Sequence, residues 1–357
     1  MKTIVYKISE TDETVWLKAA GDVLAAGGLV GIPTETVYGL AANALDAEAA
    51  AKIYAAKGRP SDNPLIVHIS DISMLDGLVT EIPDTAQKLA ETFWPGPLTM
   101  IFPKKDVVPY GTTGGLDTVA VRMPSHPVAR KLIGTTGIVL AAPSANTSGR
   151  PSPTRAEHVY EDLNGKIDMI LDDGPVGIGI ESTVVDMTGS VPMILRPGYI
   201  TREMMEAVVG EVRVDPAILG ENRDKNFQPK APGMKYKHYA PKGDLTLVSG
   251  QDEKVVKKIQ ELASEKLAVG FRVGIIATEE TKALYETMVQ GNSRLVVMSI
   301  GTRKDEDTII HNLFDVLRRM DGEEVSYIYS ESFEEGSRGK AIMNRMLKAA
   351  GHQQIYV

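Results

Sequence analysis

Apolar positions along this chain fall into two rhythms that alternate from one end to the other. From Asp12 to Ala26 they recur at the three- and four-residue spacing of an amphipathic helix, which Gly27-Gly28 stops. Leu29–Ile32 is a short unbroken apolar run closed by Pro33, the pattern of a buried strand. Asp46 can cap a helix over 47–56 that Gly58 and Pro60 end. Leu65–Ile69, Leu98–Phe102, Val119–Met123 and Ile138–Ala142 read as further strands, and Pro83–Phe93, with proline in its first turn, reads as a helix. Helical spacing returns at Pro127–Ile133 and Arg155–Leu163. Three strands, Met169–Leu171, Ser182–Met187 and Met193–Leu195, then precede a helix over Thr201–Val209. These elements predict an α/β domain on a large mixed sheet, residues 1–212. The run of strands after Asp168 points to antiparallel pairing, so the domain is not doubly wound.

The rhythm then breaks. Residues 216–243 hold four prolines and show no sustained period, so 213–243 is expected to be a linker. Between Lys225 and Gly243 lie five lysines and no acid, in a segment that is either a solvated tether or one that faces phosphate. Beyond it the strands Leu245–Val248, Val273–Ile276, Leu295–Met298 and Val325–Tyr329 alternate with the helices Glu253–Lys266, Glu279–Met288, Glu306–Met320 and Lys340–Ala349. That predicts a smaller Rossmann-like parallel α/β domain over 244–357, without GxGxxG to name a cofactor.

Composition narrows the chemistry. The 357 residues are 43% hydrophobic and 24% charged, ordinary for a globular protein. With no cysteine, thiolate zinc sites and a cysteine nucleophile are excluded, and six scattered histidines form no HExxH pair. A net charge of −8 disfavours a dedicated nucleic-acid binder. No apolar run is long enough to span a bilayer, and polar Ser9–Asp12 follows the first apolar residues, so a cytoplasmic protein without membrane association is expected.

What remains is a set of polar clusters at the ends of apolar elements, where open α/β sheets hold ligands. Thr34-Glu35-Thr36 follows a buried strand; its hydroxyls could equally cap a helix. Lys57-Gly58-Arg59-Pro60-Ser61-Asp62-Asn63-Pro64 puts two cations and several donors on a stiff loop. Its cations also suit a helix C-terminus, although the stiffness favours phosphate binding. His68 interrupts a strand, a place more often taken by a satisfied core histidine. Arg122, inside an apolar strand, needs either an acid from elsewhere or a ligand carboxylate or phosphate. Ser144-Ala145-Asn146-Thr147-Ser148-Gly149-Arg150-Pro151-Ser152 is dense in donors, and Ser182 and Arg196 repeat the pattern beside later strands. Taken together, Lys57, Arg59, Arg122, Arg196 and the hydroxyls point to an anion site, with nucleotide phosphates as guest.

The strings PTETVYGL, KGRPSDNPLIVHI, VRMP, APSANTSGRPSP, ESTVVD and LRPG closely resemble the YrdC/Sua5 family in content and order, across the whole first domain. KYKHYAP (235–241) and the second domain resemble its longer, two-domain Sua5 branch. The resemblance implies a threonylcarbamoyl-AMP synthase. Such an enzyme converts L-threonine, bicarbonate and ATP to threonylcarbamoyl-AMP and pyrophosphate. A separate tRNA threonylcarbamoyltransferase then uses the product to make t6A at adenosine 37. It also implies the site residues. Lys57 and Arg59, the catalytic cations, would hold phosphates with Ser61 and Asn63. Ser144, Asn146, Ser152 and Arg196 would hold the nucleotide. Thr34, Thr36, His68, Arg122, Ala142 and Ser182 would form the threonine and bicarbonate pocket, with Thr118 close to both substrates. His238 and Tyr239 would close over ATP as a lid. Mg²⁺ would ride on the phosphates rather than on protein side chains. One rival is a carbamoyl-phosphate-using maturation factor with a YrdC-like domain; its zinc fingers need cysteines that this chain lacks. The other is an RNA-binding module that uses the cationic face without chemistry. For the enzyme, RNA binding would be weak.

Overall fold

The computed structural model describes residues 2–219, 238–289, 292–333 and 338–357. The segment with Lys225, Lys230, Lys235 and Lys237 lies outside them. Two compact units divide the chain: one holds residues 1–148 and 152–236, the other 149–151 and 237–357.

The first unit is built on an eleven-stranded mixed sheet. In spatial order its strands are Ile4–Lys7, Met169–Asp172, Val30–Ile32, Gly39–Asn43, Leu140–Ala141, Ile66–His68, Thr118–Arg122, Leu98–Pro103, Thr183–Asp186, Met193–Arg196 and Arg213–Val214. Four were not expected as strands: Ile4–Lys7, Gly39–Asn43, Arg213–Val214 and, in the second unit, Gln354–Tyr356. Gly39–Asn43 turns PTETVY into the loop of an antiparallel hairpin, Ile32 pairing with Gly39. The threonines of that loop therefore cap no helix. Helices form where the sequence places their caps. Asp12 accepts from Thr14 N, Asp46 from Glu48 N and Ala49 N, and Thr201 from Met204 N.

Helices cover the sheet unevenly. Trp16, Ala20 and Leu24 of Glu13–Ala25 and Leu132 of Pro127–Thr136 pack on Val30, Ile32 and Leu171 of one face. The helices Ala47–Lys57, Asp84–Phe93 and Ala156–Leu163 pack on Leu40, Val67, Met100 and Val121 of the other. Side chains alternate between faces along a strand. Next to Val67, Met100 and Val121, the residues Ile66, Ile101, Ala120, Val184 and Leu195 therefore form a separate small cluster, contributed by strands alone among the described residues. That face carries the polar row described below.

The second unit has a five-stranded, all-parallel sheet in the order Leu295–Ser299, Val273–Ala277, Tyr327–Glu331, Asp244–Ser249, Gln354–Tyr356. One strand more than the four expected completes it. Tyr327–Glu331 starts two residues later than the apolar pattern suggested. Three residues of the donor-rich loop belong to this unit. Gly149 O accepts from Ala240 N at 2.8 Å, Pro151 O from Arg318 Nη2 at 2.7 Å, and Arg150 Nη2 lies 3.3 Å from Asp321 Oδ2.

Candidate active site

Backbone register assembles the centre of the site. His68 pairs with Arg122, and Arg122 with Thr99, so the three side chains stand in one row across three adjacent strands. Thr99 pairs on with Val184, just past Ser182, and Thr99 Oγ1 and Ser182 Oγ are 2.7 Å apart. Arg196 donates from Nε and Nη2 to Ser182 O at 3.1 and 3.0 Å, and from Nη2 to Ser182 Oγ at 3.2 Å. Gly198, which follows Arg196-Pro197, admits no side chain: a Cβ there would lie 2.4 Å from Thr183 N. His68, Thr99, Arg122, Ser182 and Arg196 are all buried.

Arg122 is the hub. Its Nε donates to Gly96 O at 3.3 Å and its Nη1 to Thr36 Oγ1 at 2.9 Å, while Nη2 lies 2.7 Å from Glu35 Oε1. The acid that an arginine in an apolar strand requires is therefore Glu35, 87 positions earlier in the chain. Thr36 Oγ1 is in turn 3.0 Å from Thr34 Oγ1, which donates to Val37 O at 2.6 Å. Burial alone would raise the pKa of Glu35; the Arg122 guanidinium outweighs it and holds the carboxyl below its ordinary value. His68 is fully enclosed and its Nδ1 is 3.1 Å from Ile66 O. Burial first, and then the charge of Arg122, push its pKa down to about 3. His68 is thus held as the neutral imidazole, which offers the pocket its ring and a hydrogen-bonding edge.

A second group of expected residues organises loops. Lys57 ends its helix, and Gly58 in the left-handed region (φ 61°) turns the chain away. The Lys57 ammonium, 2% exposed, donates to Ser144 O and, at 2.5 Å, to Asn146 O. Arg59 folds its own loop inward, Nε to Asn63 O at 3.2 Å and Nη2 to Pro64 O at 3.0 Å. Both cations are therefore anchored on backbone carbonyls and fix positive charge under the loops. Asn63 Oδ1 is buried without a partner, whereas Ser61 is exposed. Ala142 N donates to Ile66 O at 2.9 Å on the strand that carries His68, and Ser144 bridges Gly39 of the hairpin. Ser152 Oγ donates to Glu181 Oε1 at 2.5 Å.

Not every expected residue joins the row. Thr118 pairs with Pro103 at the far end of the strand from Arg122, roughly 13 Å away at the usual strand rise. His238 and Tyr239 belong to the second unit, where Tyr239 is buried with its ring 5.1 Å from that of Phe314. Glu35 and Glu181 stood inside the polar clusters of the sequence without a role of their own, and Thr99 was not expected at the site. The arginine's need for an acid was the one signal that pointed toward Glu35. Thr99 in an apolar strand gave none. Among the described residues no three acidic or histidine side chains gather as a metal cage, and no helix is long and apolar enough to cross a membrane.

Both parts of the chain match known families. Residues 22–198 match the Sua5/YciO/YrdC family model, described as Telomere recombination, and residues 200–351 match the model Threonylcarbamoyl-AMP synthase, C-terminal domain. The chain is 47% identical over 355 residues to Threonylcarbamoyl-AMP synthase of Pyrococcus abyssi, an alignment covering 99% of this chain and 100% of that protein. It is also 47% identical to the Bacillus subtilis protein of the same name, over 99% and 100% of the two. The crystal structure of P. abyssi Sua5 complexed with L-threonine superposes with a TM-score of 0.90, at 46% identity, covering 100% of each chain.

Proposed function

The chain belongs to the two-domain Sua5 branch of the Sua5/YrdC family, and we infer from this and from the buried Arg122 centre that it is a threonylcarbamoyl-AMP synthase. L-threonine, bicarbonate and ATP are its substrates; threonylcarbamoyl-AMP, pyrophosphate and water are its products. The amine nitrogen of threonine bonds to the carbon of bicarbonate with loss of water, and an oxygen of the resulting carbamate attacks the α-phosphorus of ATP as pyrophosphate leaves. Two anions meet in that step, so the task of the site is alignment and charge neutralisation, and no protein nucleophile is needed.

The Arg122 guanidinium carries this reading. It is a planar fork in a buried row of hydroxyls, suited to the threonine carboxylate. Thr34, Thr36, Thr99 and Ser182 supply hydroxyls for the side chain and the carbamate, and neutral His68 adds bulk and one polar edge. Lys57 and Arg59 act as preorganised positive charge beneath the phosphates, held in place by the carbonyls that they bind. Asn63, Thr118, Ser144, Asn146, Ser152 and Arg196 serve the nucleotide, with His238 and Tyr239 in the proposed lid and Ser61 at the loop's edge. Mg²⁺ would come with the nucleotide and would neutralise phosphate charge there, held by the phosphates rather than by protein carboxylates. The product passes to a tRNA threonylcarbamoyltransferase. Pyrophosphate release that requires threonine and bicarbonate together tests the inference. Release with ATP alone, or none with all three substrates, would reject it.

A further inference from the structure

Arg122 Nη2 and both carboxylate oxygens of Glu35 are buried; the two groups stand 2.7 Å apart as an ion pair, and beyond that pair the carboxylate meets only the backbone at Glu35 and Ser125, none of these contacts being a well-aligned hydrogen bond. The other two nitrogens of Arg122 are satisfied by Gly96 and Thr36. Buried charged atoms short of their full set of hydrogen bonds are costly, and a pocket keeps them where a ligand completes the set. Here the incomplete atoms carry opposite charges and lie side by side. A free α-amino acid presents the matching pair, a carboxylate and an ammonium on one carbon. We propose that Glu35 receives the α-ammonium of threonine while Arg122 receives its carboxylate, so that the pair selects the substrate as a zwitterion, whose nitrogen sheds a proton to solvent before it bonds to the bicarbonate carbon.

The proposal rests on threonine binding at Arg122 and adds to it a specificity determinant that faces the nitrogen. Glu35 suits the task. Arg122 holds its carboxyl ionised throughout the neutral range, and the hairpin loop that carries it is pinned on either side by Thr34 and Thr36. Two other roles are open to Glu35. As a mere counter-ion it would orient Arg122 and matter equally for any carboxylate. As a stand-in for the substrate carboxylate it would have to be displaced, and removing its charge would tighten binding.

Calorimetric titration of the full chain with L-threonine and with 2,3-dihydroxybutanoate, in which a hydroxyl replaces the ammonium, separates these roles. The wild type should prefer threonine by roughly 100-fold or more. Glu35→Gln should weaken threonine by roughly 10–100-fold, leave the hydroxy acid within about threefold of its wild-type affinity, and so erase most of the preference. Glu35→Asp, which keeps the charge on a shorter arm, should restore part of it. ATP titration of each variant reports whether the fold is intact. Equal losses for both ligands would make Glu35 a counter-ion only, and tighter threonine binding would make it a stand-in; either overturns the proposal. A wild type that binds no threonine would instead reject the reading on which the proposal rests.

Discussion

Replacing Arg122 separates its charge from its shape. In Arg122→Lys an ammonium can still meet Glu35, but it cannot also reach Gly96 O and Thr36 Oγ1, now bonded at 3.3 and 2.9 Å. Losing two buried bonds from a charged donor should cost roughly 2–4 kcal/mol of stability. Threonine affinity should fall by roughly tenfold or more as the fixed guanidinium geometry is lost, with ATP affinity little changed. Arg122→Gln goes further. Glu35, whose side chain is 12% exposed, is left as an uncompensated buried carboxylate, at a cost of about 3–5 kcal/mol. The double variant Glu35→Gln/Arg122→Gln removes both charges, so it should be more stable than Arg122→Gln alone, with a coupling of about 1–3 kcal/mol. Denaturant unfolding of the four proteins gives the stabilities, and calorimetry with threonine and ATP gives the affinities. Equal loss of both ligands in Arg122→Lys would refute the assignment of Arg122 to threonine. A double variant no more stable than Arg122→Gln would refute the buried pair as the reason Arg122 is tolerated in the strand.

His68 takes up a proton near pH 6.5 when unfolded and near 3 when folded, so stability is whole above 6.5 and falls as pH drops through that window, by up to about 1.4 kcal/mol per unit. Glu35 adds a loss of the same sign only below its ordinary value of 4.5, and His126, whose pKa burial also lowers, adds one below 6.5; His68→Asn should therefore reduce, without abolishing, the slope of the unfolding midpoint between pH 6.5 and 5, and an unchanged slope would contradict the neutral imidazole. Lys57→Met strips the donor from Ser144 O and Asn146 O and should lower ATP affinity well beyond threonine affinity, roughly tenfold or more; unaltered ATP binding would refute its place under the phosphates. Serine, which lacks only a methyl group, should be disfavoured by roughly 10–200-fold, and valine, which leaves hydroxyl partners unpaired, by more; turnover with valine above that with serine would contradict the hydroxylic pocket.

The sequence was most informative where physics acts locally. Asp12, Asp46 and Thr201 announce helices because a capping side chain reaches only two or three residues along the chain. Gly39–Asn43 stayed hidden because Gly, Ala and Asn are poor strand formers, and Gly39, Leu40, Ala41 and Ala42 are all buried, which removes the alternation that reveals a half-exposed strand. Ile4–Lys7 is an edge strand whose partner begins at Met169, with Ile4 52% exposed, so nothing nearby in the sequence marks it. The site divides in the same way. An arginine within an apolar strand declares that it needs an acid, yet the hairpin that brings Glu35 to it depends on a pairing the local pattern does not encode. Thr99 is a good strand former and looked like one; its place beside Arg122 and Ser182 follows only from strand order.

The proposed reaction gathers threonine, the carbon of bicarbonate and the α-phosphorus of ATP in one molecule. It is tested most directly by running the purified chain with ¹⁴C-bicarbonate, α-³²P-labelled ATP and unlabelled threonine, separating the nucleotides promptly, and weighing the product. One threonine-dependent species should carry both labels in equal amounts, with the mass of threonylcarbamoyl-AMP and pyrophosphate released in step. A nucleotide product that carries ³²P without ¹⁴C, or a doubly labelled one that forms without threonine, would contradict it.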